Sequence, residues 1–176
     1  MKKILLIAII LCMNHVMFSQ ETEKVKTGAT NEIKLNLLMS LFSFPEISYE
    51  RVWANSIGLG LSAGAYLNNL NNDTGTKYLL LPYGRFYFGE TQTKSFFIEV
   101  NTAIRGSKEY ADSYSYYADY SKTRNTTDIG IGVAFGYKYI NSKDFVGELF
   151  LGIGRTSDNI GIDVYPRIGI SIGKSF

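Results

Sequence analysis

From Ile162 to Phe176 the chain alternates almost without error. Ile162, Val164, Pro166, Ile168, Ile170 and Ile172 fall on one side, and Phe176 closes it. Asp163, Tyr165, Arg167, Gly169, Ser171, Gly173 and Ser175 fall on the other. A period of two belongs to an extended strand, whose successive side chains point to opposite faces. Such a strand, repeated and combined with a secretion signal, is the pattern of a transmembrane β-barrel.

The pattern does repeat. Seven earlier segments alternate in the same way: Glu32–Leu41, Glu46–Trp53, Ser56–Leu67, Lys77–Phe88, Lys94–Arg105, Asp128–Ile140 and Phe145–Gly154. The expectation is an all-β fold, an eight-stranded antiparallel up-and-down transmembrane barrel. Ala54-Asn55, Gly89–Thr93 and Asn141–Asp144 are short turns on the side where the chain starts and ends. Asn68–Thr76 and Gly106–Thr127 are longer and lie on the other side, as periplasmic turns and external loops do.

The N-terminus reads as an export signal over residues 1–19. Lys2 and Lys3 give the positive end, Ile4–Leu11 the apolar stretch, and Ser19/Gln20 a cleavage point. The apolar run is shorter than the roughly 20 residues a membrane-spanning helix needs. Cys12 does not suit a lipoprotein, because Leu11 stands where a small residue belongs. Residues 20–30 form a polar lead-in and residues 31–176 the barrel. Cleavage would remove the single Cys, Cys12, and the single His, His15. It would also take two of the 18 basic residues and none of the 16 acidic ones, leaving zero net charge. That gives no argument for a nucleic-acid partner.

Three features place lipid outside. Ten of the 17 glycines sit on the polar face, where a narrow lumen needs small residues beside large ones. Lys34, Arg85, Arg105, Lys138 and Arg167 share that face with Glu46, Glu50, Glu99, Glu148 and Asp163. Five charges of each sign can pair in a closed interior as a lumen network, where unpaired ions would cost several kcal/mol each. Trp53, Phe86, Phe88, Phe96, Tyr137, Tyr139, Phe145 and Phe176 lie on the apolar face near the short turns, as a periplasmic-side aromatic girdle would. Lys174 is read as the one cation on that face that must snorkel.

Glu32-Ile33-Lys34-Leu35-Asn36-Leu37, Ile47-Ser48-Tyr49-Glu50-Arg51 and the Ser56–Leu67 alternation resemble the small eight-stranded outer-membrane barrel family. Its broad relatives are the membrane domain of outer membrane protein A and similar porin-like proteins. The resemblance implies an outer-membrane location, insertion by the barrel-assembly machinery and a terminal Phe, which Phe176 supplies. Lys174 departs from the apolar residue common two places before the end.

A mature chain without His or Cys has no imidazole base, no thiolate and none of the usual zinc or copper ligands. The expectation is a non-enzymatic protein with no cofactor and no metal, likened to a monomer among outer-membrane lipid. Tyr110, Tyr114, Tyr116, Tyr117 and Tyr120, interleaved with charge, make the Gly106–Thr127 loop a candidate recognition surface for an unknown ligand. A plain extension of the two flanking strands accounts for the same residues. Two alternatives stay open: a narrow pore for small solutes or ions, and a soluble lipocalin-like barrel with its Ile/Leu face turned inward.

Overall fold

A computed structural model describes residues 30–53, 56–67, 75–91, 93–110, 123–158 and 161–176. The signal, the lead-in up to residue 29 and Tyr114, Tyr116, Tyr117 and Tyr120 lie outside the described residues. So do the side chains of Tyr110 and Asp163.

Eight strands form one closed antiparallel barrel in sequence order. They are β1 (Thr30–Asn36), β2 (Glu46–Trp53), β3 (Ile57–Ala65), β4 (Gly75–Thr91), β5 (Lys94–Tyr110), β6 (Thr123–Ile140), β7 (Phe145–Asp158) and β8 (Gly161–Ser175). A short helix, α1 (Leu37–Leu41), separates β1 from β2. Closure joins β1 to β8, with Glu32 opposite Ser175 and Asn36 opposite Ser171. At the chain end, the Asn31 N–H donates to the Phe176 carbonyl at 2.9 Å and the Phe176 N–H donates back at 2.8 Å. The strands thus pair around the whole circumference, which leaves the base of the barrel without an open edge.

The β6–β7 connection shows how little chain a short turn needs. Asn141 Oδ1 accepts from the Lys143 and Phe145 N–H groups at 2.9 Å each. Asp144 takes the left-handed region at φ 65°, which Asp tolerates better than most residues.

The strand facing follows parity. Ile33, Ile47, Leu59, Leu61, Val100, Ile131, Val133, Leu149, Leu151 and Ile172 all point out and are half or more exposed. The alternate positions are buried, whether polar, as Glu50, Glu99 and Lys138 are, or apolar, as Val52, Leu81 and Phe97 are. Among the described residues no helix is long and apolar enough to cross a membrane.

Several sequence boundaries need correction; β4, for one, runs Gly75–Thr91 and takes in the ends of the expected Asn68–Thr76 loop and Gly89–Thr93 turn. Glu32–Leu41 is not one strand: β1 ends at Asn36, and Met39 and Ser40 are helical. The Asn36 side chain accepts from the Met39 N–H at 3.2 Å, and Ser40 Oγ donates to the Asn36 carbonyl at 2.7 Å. These local bonds cap a turn of helix in a Leu-Leu-Met-Ser-Leu stretch that favours it. The Gly106–Thr127 loop is also shorter than its composition suggests. Gly106–Tyr110 belongs to β5 and pairs with Thr123–Thr127 of β6, so Tyr110 is a strand residue. Threonines suit a pleated surface, and cross-strand pairing outweighs the loop-like composition.

The wall is uneven. β1, β2 and β3 have seven, eight and nine residues. β4, β5 and β6 have 17, 17 and 18. A tilted strand crosses a bilayer with about 9–11 residues, so the β4–β6 side is tall enough to cross and project beyond.

Candidate functional site

The lumen holds the chemistry. Lys34, on β1, places its ammonium among three carboxylates from three strands. Its Nζ donates to Glu32 at 3.1 Å, Glu50 at 2.5 Å and Glu148 at 2.7 Å. The oxygens of these three glutamates lie within 4.8 Å of one another, a spacing that could ligate a metal ion. Lys34 already supplies a cation to all three, so the cluster is filled by the chain itself.

Arg85 on β4 joins that cluster to a second one. Its Nη1 donates to Glu50 at 2.9 Å and to Glu148 at 3.0 Å, and its Nε donates to Glu99 at 2.8 Å. Arg167 on β8 donates to Glu99 at 2.8 Å and to Glu46 at 2.6 Å. Lys138 on β6 donates to Glu32 at 2.9 Å. Five carboxylates therefore meet four cations in one continuous network. Neutral donors serve the surplus acceptors: Tyr87 Oη donates to Glu50 at 2.5 Å, Asn101 Nδ2 to Glu99 at 3.1 Å, and Ser62 Oγ to Glu46. In a low-dielectric interior such pairing is what makes buried charge tolerable.

Aromatic rings fill the remaining section. The Arg85 guanidinium lies 4.1 Å from the Phe97 ring centre and 4.6 Å from that of Tyr83. Lys138 Nζ lies 3.9 Å from the Tyr87 ring and Arg167 4.6 Å from Phe150. Inward glycines make room for them. A methyl at Gly154 would stand 2.1 Å from Tyr165, and one at Gly169 would stand 2.2 Å from Phe150. Gly154→Val should therefore cost about 1–3 kcal/mol through overpacking. Gly147→Val is the control, since nothing lies within 4 Å of an added Cβ there. Urea unfolding in lipid vesicles compares them, and equal midpoints would contradict this account of the lumen.

Of the lumen residues read from the sequence, Lys34, Glu46, Glu50, Arg85, Glu99, Lys138, Glu148 and Arg167 meet in this network. Arg105 does not reach it: it is half-buried and pairs with Asp128 at 3.0 Å. The Asp163 side chain lies outside the described residues. Glu32, Asp128 and Phe97 were not singled out, although parity with Lys34, Gly130 and Glu99 places each on the inner face.

On the outer face, Trp53, Phe86, Phe88, Phe96, Tyr139, Phe145 and Phe176 are exposed, and Tyr137 is half-buried beside Phe96 at 5.0 Å between ring centres. Lys174 is not the only outward cation, because Arg51, Lys94 and Arg155 share the face. Three of the four lie over rings close to the short turns: Arg51 over Trp53 at 5.5 Å, Lys94 over Tyr139 at 6.0 Å and Lys174 over Phe145 at 5.7 Å.

The architecture has solved counterparts. The N-terminal β-barrel domain of Pseudomonas aeruginosa OprF aligns over 87% of this chain and 100% of its own, with TM-score 0.56 at 13% identity. Neisserial surface protein A, NspA, aligns over 84% of this chain and 92% of its own, with TM-score 0.52 at 14% identity. At such identities the likeness is one of fold. No curated protein sequence matches the chain. A family model described as a protein of unknown function, DUF3575, matches residues 5–166.

Proposed function

Given that the chain belongs to the DUF3575 family, whose function is uncharacterised, we propose that it is a monomeric, non-enzymatic outer-membrane barrel serving the envelope as structure or as a surface contact. One observation carries this reading: the molecule is inverted, with a paired network of charges inside and most of its Ile, Leu, Val and Phe side chains outside. Water would not favour such a wall, whereas hydrocarbon would. Cation–aromatic pairs at one end suit the headgroup level, where amphipathic side chains settle. A soluble lipocalin-like barrel would bury the Ile/Leu face, so the outward side chains speak against it.

On this reading Met1–Ser19 directs export, the barrel-assembly machinery inserts the strands, and the tyrosine-rich segment joining β5 to β6, with Tyr110, Tyr114, Tyr116, Tyr117 and Tyr120, offers the surface contact. Membrane fractions should retain the protein through carbonate washing, and unheated samples should migrate faster than boiled ones on gels. Recovery in the soluble periplasm would overturn it. The filled lumen also disfavours the pore reading: planar-bilayer recordings should show no discrete conductance, and reproducible unitary steps would favour the pore instead.

A further inference from the structure

The barrel is closed unevenly at one seam. β1 stops at Asn36, opposite Ser171, whereas β8 continues from Ile170 back to Gly161 with no strand beside it on that edge among the described residues. The mutual bond between Asn31 and Phe176 fixes which β8 residues aim their backbone at this seam: the even ones. Two features manage the exposed groups. Asn36 Nδ2 donates to the Ile168 carbonyl at 3.1 Å, and position 166 is a proline, which has no N–H to leave unmet.

In place of a strand, α1 leans against β8. The outer wall beside it is concave. A shallow, open groove of about 490 Å³ crosses β6, β7 and β8 past Phe135, Leu149 and Ile168, with Leu38 of α1 in its lining. Its lining is almost wholly apolar and includes the outward Leu151 and Ile170.

We infer that this groove is a binding site for one lipid acyl chain, built by the replacement of a strand with α1. The inference rests on the membrane reading above. Exchange of one chain for another between bilayer and groove has no hydrophobic term, so occupancy depends on packing contacts. A chain in the groove touches protein on more sides than one lying on the convex wall. Leu41 and Phe42, at the C-terminal end of α1, are likewise exposed, at 74% and 63%.

The test uses the full chain folded into phosphatidylcholine vesicles doped with a phosphatidylcholine whose acyl chain bears a photoreactive diazirine. Adducts are mapped by mass spectrometry. Those on Leu38, Leu149 and Ile168 should exceed those on the exposed Leu59, Leu61 and Val100 by at least about threefold, the scale of a few added contacts. Leu38→Ala, which removes the α1 side chain from the groove lining, should bring Leu149 and Ile168 down to the level of the reference positions. Even labelling around the wall in the unaltered protein would overturn the site while leaving the membrane reading intact. Absence of labelling anywhere on the wall would overturn both.

Discussion

Lys34→Met should destabilise the barrel by about 3–5 kcal/mol, the usual penalty for stranding buried partners of an ion pair. Few residues here are matched so closely to their role. An ammonium has three donors on a compact head, and Lys34 directs its own at Glu32, Glu50 and Glu148, contributed by β1, β2 and β7. Without it, five carboxylates would face three cations. Glu50 and Glu148 would still share Arg85, and Glu32 would keep Lys138. Lys34→Arg should also lose stability, because a planar fork cannot reach three acceptors arranged around a point. Urea unfolding in lipid vesicles measures both variants, with loss of the fast-migrating unboiled band as a second readout. Lys34→Met combined with Glu148→Gln should recover part of the loss, since it removes a carboxylate along with the cation. Wild-type stability in Lys34→Met would mean that the network contributes nothing.

Much of this architecture was legible, because a barrel strand makes parity visible. The residues from Ile162 to Phe176 could be assigned to faces one by one, and the face assignment of the described side chains agrees with that of the fold. What escaped the sequence reading had physical causes. Polarity and parity disagree at Phe97, which is buried but apolar, and Glu32 stands at the edge of its segment where the pattern is weakest. Parity itself does not announce where it stops. Leu35, Leu37 and Met39 keep the alternation, while Leu38 between them breaks it, and the Asn36 cap decides in favour of helix. Partners were also beyond reach, because Lys34 and Glu148 are 114 residues apart and meet only once the sheet has closed.

Leu151→Arg should cost about 2–4 kcal/mol in a bilayer, the penalty for a cation on the lipid face near the midplane. Leu151 is 71% exposed and points outward, so the folded chain loses almost no packing of its own when it is replaced. In water a surface substitution of this kind is usually worth within ±0.5 kcal/mol. The same change therefore separates the two environments by severalfold in energy, while Phe150, its inward neighbour, is untouched. Extending the scan to Leu149 and Ile153, outward on the same strand, adds depth. If lipid surrounds the wall, the cost should peak at one position and fall toward both ends, and Arg155, already outward on β7, would mark where a cation is tolerated. The measurement is urea unfolding of each variant from lipid vesicles. A flat profile near zero would show that solvent, not hydrocarbon, bathes this face, and the inverted distribution of charge would then need another explanation.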